Sequence, residues 1–131
     1  MTYKIRTFTP DDYKTYSSWL DMRKRPIPAF KHLPAAGWIA HENGTDYAAG
    51  FISPINTDQC SIQHFASNPM AENDKRGPAL EALLDAMIDI AKDRGFSFVA
   101  AAANKQKFLD RLSARKFVVY DTNITQMGRA V

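Results

Sequence analysis

The sequence predicts a single α/β domain, on three observations. Segments of strand character recur through the first half of the chain, at residues 3–8, 37–41, 46–52 and 59–67. They are followed by one long stretch with a helical repeat, in which Leu80, Leu83, Leu84, Met87, Ile88 and Ala91 fall at i, i+3, i+4, i+7, i+8 and i+11. The third is size and make-up: 131 residues, 45% hydrophobic and 24% charged, suit one globular domain with its own core.

Each element has a local cause. Residues 3–8 alternate polar and apolar and read as a first strand. Thr9-Pro10-Asp11-Asp12 is a helix start, with a hydroxyl N-cap, Pro at the first helical position and an acidic residue three places after the cap. Tyr13, Tyr16, Trp19, Leu20 and Met22 give that helix its apolar side, and Pro26 stops it. Residues 26–36 hold three prolines and read as a loop. Asn43-Gly44 between the strands at 37–41 and 46–52 is a hairpin signal. The strand at 59–67 ends at Asn68-Pro69. A loop follows, then a long helix with Pro78 in its first turn and Gly95 beyond its end. A strand at 96–100, a shorter helix capped by Asn104, and strands at 117–120 and 123–127 complete the chain.

Composition excludes several classes. No run of 18 apolar residues exists, so no transmembrane helix is expected. The first residues lack a signal-peptide apolar core, which predicts a soluble, cytoplasmic protein. Cys60 is the one cysteine, so an internal disulfide and a cysteine-built zinc site are ruled out, and no metal is expected. Seventeen Lys and Arg against fourteen Asp and Glu leave a net charge of +3, compatible with an anionic ligand. Arg23-Lys24-Arg25 reads as a charge-complemented helix end.

The chemistry concentrates at residues 73–79. A loop that exposes the orphan N–H groups of a helix N-terminus can bind a pyrophosphate. Gly77 admits close approach, Ala79 is small, and Lys75 and Arg76 add charge. Helix capping by Gly77 and Pro78 explains the same letters without a ligand. The order of elements from 61 to 117 resembles the acyl-CoA-binding half of the GCN5-related N-acetyltransferases. Their loop pattern Gln/Arg-x-x-Gly-x-Gly/Ala is met by Asp74-Lys75-Arg76-Gly77-Pro78-Ala79 at every position but the first. Ala49-Gly50-Phe51-Ile52 is also similar to the family's third strand.

The resemblance implies a mixed, mostly antiparallel sheet of about seven strands flanked by helices, splayed where the cofactor enters between the fourth and fifth strands. It implies acetyl-CoA as co-substrate and a primary amine, on a small molecule or a protein, as acceptor. Asp74, Lys75, Arg76, Gly77, Pro78 and Ala79 would hold the pyrophosphate. Phe65, Ala66 and Ser67 would pair with the pantetheine arm, and Asn104 would contact the cofactor. Phe30, Lys31 and His32 lie in the segment that shapes the family's acceptor pocket.

Catalysis matches less closely. The strand 60–65 holds no carboxylate, so His64, with an unperturbed pKa near 6.5, is the candidate base. Where the family has a Tyr that protonates the thiolate stands Leu112, and where it has a Gly before the closing Phe stands Lys116. Tyr120 and Ser113 are then the proton donors to consider. Cys60 reads as a buried bystander. Leu33-Pro34, Ser67-Asn68-Pro69 and 121–125 resemble small acetyltransferase-like proteins of tailed phages, which implies a second copy or a phage-assembly component as a partner. Two alternatives stand beside the enzyme. One is a non-catalytic protein of this fold, such as a virion component or host-factor inhibitor. The other, less expected, is a nucleic-acid binder using Arg23-Lys24-Arg25 and the basic residues between Lys105 and Lys116.

Overall fold

The alternating segments of the first half become a run of antiparallel neighbours. In the computed structural model, which describes residues 3–103, 105–120, 122, 125 and 127–129, β1 (Lys4–Thr7) pairs with β2 (Ala36–Glu42), β2 with β3 (Thr45–Pro54), and β3 with β4 (Gln59–Ser67). β5 (Phe98–Ala101) lies parallel to β4, so the sheet is mixed and its strands stand in sequence order. Helix α2 (Asn73–Asp93) supplies the crossover that a parallel pair requires. Helix α1 (Tyr13–Met22) connects β1 to β2, and α3 (Gln106–Ala114) follows β5. The β2–β3 hairpin closes on Asn43 and Gly44 at φ 51° and 78°, the two left-handed residues of a type I′ turn.

Both faces of the sheet are covered, which explains why residues 47–52 are buried without interruption. Tyr16, Trp19 and Leu20 of α1 pack on Ile39, Ala49, Phe51 and Ala66. On the other face Leu83, Leu84, Met87 and Ala91 of α2 meet Trp38, Ala40, Ala48, Ile52, Cys60 and Ile62, joined by Leu112 of α3. Arg6 fixes the α1 entrance: its guanidinium grips both oxygens of Asp12 and reaches Asp46, each at 2.9 Å. That fork, with the Thr9 N–H and hydroxyl, holds the Asp12 carboxyl down at about 2.

Three expectations need correction. The described residues form five strands, not seven. Residues 117–120 lie in no strand, and Val118 and Val119 are exposed; β propensity makes a strand only where a neighbour takes its backbone groups. Of the strand expected at 123–127, Asn123, Ile124 and Gln126 are outside the described residues, while Thr125 and Met127 are in no strand. The long helix begins at Asn73, five residues before Pro78, so the expected phosphate loop is helical. Asn104, expected to cap α3, is also outside the described residues; Lys105 stands at the N-cap position.

Lys116 ends α3 in the left-handed region, at φ 67°, with its N–H on the Ser113 carbonyl at 3.0 Å and the Phe117 N–H on the Leu112 carbonyl at 3.1 Å. A side chain there costs energy that glycine avoids. Lys116→Gly is therefore expected to stabilise the fold by about 1 kcal/mol, read as a higher denaturant midpoint at unchanged slope.

Candidate functional site

β4 and β5 pair only from Gln59↔Phe98 to Ile62↔Ala101, and β4 continues to Ser67 without β5 beside it. A bulge begins where this pairing stops. Across from β4, Ala49 faces Ala66 but Phe51 faces Gln63, leaving His64 and Phe65 opposite Gly50 alone. Such an insertion bends its strand and re-aims a side chain. His64 takes the strained conformation, at φ 57°. Gly50 is required across from it: a Cβ there would meet the Phe65 ring at 2.9 Å and Met87 Sδ at 3.1 Å.

Helix α1 secures the bulge from one face. The Tyr16 hydroxyl donates to the His64 carbonyl at 2.8 Å, and burial pushes the phenol up to about 12, so it remains a neutral donor. Arg25 Nη2 donates to the Phe65 carbonyl at 3.2 Å, and Arg23 Nη1 donates to Ser67 Oγ at 3.0 Å. Both arginines reach β4 because the chain reverses between them. Lys24 is left-handed at φ 54°, and the Arg25 N–H closes the turn on the Leu20 carbonyl at 3.0 Å. His64 is exposed, yet partial desolvation, helped by the nearby Arg25 charge, lowers its pKa below 6.5. Both effects favour the neutral imidazole.

The opposite face is built by α2 and α3. The Lys75 and Arg76 N–H groups are already on the Glu72 carbonyl, at 3.0 and 3.1 Å, so the N–H groups left at this terminus belong to Asn73 and Asp74. Gly77 does make room, but for a side chain: Arg111 of α3 lies 3.2 Å from where its Cβ would be. Pro78 is inside the helix and cannot bond back to the Asp74 carbonyl. Ala79 is fully buried in the core and cannot face a phosphate. Arg23, Arg25 and Arg76 stand close enough that their like charges, after desolvation, push the Arg23 guanidinium below its ordinary pKa.

The remaining expected residues divide. Phe65 packs against Phe108, the rings tilted by 55° with centroids 5.2 Å apart, joining β4 to α3, whereas Ala66 is buried toward α1. Asn104 lies outside the described residues. Tyr120 is not brought to His64: it rests on Phe98, whose partner Gln59 is about 16 Å from His64 along β4. Phe30 packs edge-on to Tyr13 at 5.4 Å, and Lys31 and His32 are exposed. Cys60 is buried, which pushes its thiol up and leaves it unreactive. Leu112 is buried in the core and Ser113 is exposed on α3. Among the described residues no group of three His, Cys, Asp or Glu could hold a metal, and no helix is long and apolar enough to cross a membrane.

Sequence reasoning missed the contacts of Tyr16, Arg23 and Arg25 with β4 and of Arg111 with Gly77. Tyr16 belonged to an apolar helix face and the arginines to charge runs. The run between Lys105 and Lys116 is in fact divided, since Arg115 turns to Asp85 and Glu81 of α2, at 3.2 and 3.3 Å from its Nη2, while Arg111 turns to Gly77.

No protein-family model matches this sequence, and no curated protein matches it closely enough to count as a relative. Solved structures do share the fold. One is an acetyltransferase of Trypanosoma brucei, at a TM-score of 0.70 and 14% identity over 96% of this chain and 99% of that one. Another is a protein of Bacillus halodurans C-125 described as a transcriptional regulator, at 0.72 and 16% identity over 97% and 100%. A third is the N-acetylglutamate synthase of Neisseria gonorrhoeae in complex with coenzyme A and N-acetylglutamate, at 0.67 and 21% identity over 85% of this chain and 28% of that one. The parallel β4–β5 pair that parts at a bulge thus sits in a known architecture, and the chain has the fold of the GCN5-related N-acetyltransferases.

Proposed function

We propose that the chain binds acetyl-CoA in the gap between β4 and β5 and transfers the acetyl group to a primary amine. One observation carries the reading: pairing between these strands stops at a bulge whose displaced residue is an exposed histidine with a lowered pKa, while Arg111 of α3 lies against Gly77 in the first turns of α2. Arg111 and the Asn73 and Asp74 amides are suited to a pyrophosphate, through charge and through the helix terminus. Backbone groups of Phe65 to Ser67 would meet the pantetheine amides, and the Phe65–Phe108 pair would line the arm.

In the reaction, His64 takes a proton from the acceptor ammonium, the freed nitrogen attacks the thioester carbonyl, and the C–S bond breaks. The nitrogen sheds its second proton as the amide forms, and this proton reaches the departing thiolate through water, since Leu112 supplies no acid. Release of free thiol, with acetylated amine identified by mass spectrometry, tests the reading.

Buried Leu112 also favours a second reading, a non-catalytic protein of this fold, whether a virion component or an inhibitor of a host factor. That protein would release no thiol with any amine. Asp74 separates the two at the level of binding. It lies exposed in the first turn of α2, beside the proposed phosphates. Asp74→Arg is expected to tighten CoA binding about threefold to tenfold by calorimetry, the size of one exposed charge contact made in place of a repulsion. Unchanged affinity would remove the phosphates from this helix end.

A further inference from the structure

We propose that Arg23 and Arg25 form a separate anion subsite on the α1 side of the gap, which holds an acidic group of the acceptor. The inference rests on the transfer reading and names the class of amine: one that also carries a carboxylate or a phosphate.

Three observations lead to it. Each arginine is anchored to β4 by one hydrogen bond, Arg23 to Ser67 Oγ at 3.0 Å and Arg25 to the Phe65 carbonyl at 3.2 Å. A guanidinium has five N–H donors in a fixed fork, so each keeps donors suited to a carboxylate or phosphate. Neither arginine has a carboxylate partner among the described residues, where the ion pairs are those of Arg6 and Arg115. Arg23 is also half-buried beside two further cations, Arg25 and Arg76. Desolvated like charges held together cost free energy that a bound anion recovers.

Position distinguishes this subsite from the one for the cofactor. Arg23 and Arg25 leave the end of α1, which packs on the sheet face opposite α2. Arg111 lies on the other face against Gly77, and Arg76 of the α2 terminus stands between the two, its charge reaching Arg23. Arg25 also contacts the bulge itself, at the residue after His64, so an acid bound there sits next to the base. An acceptor tethered by its acidic group would present its amine to His64 with much of the orientational cost already met.

The test uses the chain saturated with CoA, titrated calorimetrically with glutarate and, separately, with inorganic phosphate. Saturable binding of one or both probes is expected, and the tighter probe identifies the acid. Arg23→Gln and Arg25→Gln, each checked for folding by circular dichroism, are expected to weaken that binding about tenfold, the loss of one charge-assisted hydrogen bond. CoA affinity is expected to stay within about threefold, a shift under the tenfold that one such bond represents. No saturable binding, unchanged binding in both variants, or a tenfold fall in CoA affinity would overturn the proposal, the last by assigning the arginines to the cofactor. The same titration on the free chain separates the two ideas. Glutarate or phosphate bound at these arginines by a chain that binds no CoA would overturn acetyl transfer and support the anion subsite.

Discussion

His64→Asn is expected to lower acetyl transfer about a hundredfold or more, the loss usual for a general base, while CoA affinity stays unchanged. Asparagine suits the test because it tolerates the left-handed conformation at φ 57°. The bulge is thereby kept and only the imidazole is removed. The sign of the pH dependence follows from the same residue. The base works unprotonated, and desolvation together with Arg25 disfavours the imidazolium. The profile of kcat/KM should therefore rise with pH and level off with an inflection below 6.5, and the variant should lose that limb. An unchanged rate and profile in His64→Asn would transfer the role of base to water.

Arg111→Glu is expected to weaken CoA binding about thirtyfold, near 2 kcal/mol, by replacing a charge-assisted contact with a repulsion. The residue has no described carboxylate partner, and its guanidinium lies in the space that Gly77 leaves against α2. Lys107→Glu makes the same change of net charge on an exposed position of the same helix. It should alter affinity by no more than about threefold, which separates a local contact from a field effect. Equal losses in the two variants would mean that general basicity, and not this site, attracts the cofactor.

Much of the scaffold was legible because its causes are local. Asn43-Gly44 specified the hairpin, and β4 spans the expected residues 59–67. The helical repeat from Leu80 to Ala91 put the expected side chains into the core. The start of α2 was misjudged for an identifiable reason. Pro78 suits a first turn, but the helix extends back to Asn73 because the Glu72 carbonyl takes two N–H groups and the Tyr3 hydroxyl donates to the Lys75 carbonyl at 3.0 Å. Tyr3 is far away in sequence, and no window around Pro78 contains it.

The site was less legible than the scaffold, because it is made by tertiary geometry. A bulge leaves no mark in the bulged strand, whose residues read as ordinary alternation. Its only sequence trace is Gly50, in the partner strand, where a side chain would collide with Phe65. Arg25 and Arg111 belonged to runs of like charge, and only the turn at Lys24 and the packing of α3 on α2 direct the one to the Phe65 carbonyl and the other to Gly77. The two departures from the family pattern became intelligible in different ways. Lys116 stands at φ 67°, a conformation glycine adopts freely, whereas Leu112 is buried in the core, where the resembled pattern has a Tyr.

The central claim is that the gap beside His64 binds acetyl-CoA, and a thermal-shift titration with acetyl-CoA tests it most directly. Ligand at 100 times its dissociation constant adds about 2.7 kcal/mol, enough to raise the midpoint of a domain of this size by several degrees. A saturable rise with acetyl-CoA, reduced in Arg111→Glu, is the predicted result. No rise at millimolar acetyl-CoA would contradict the account.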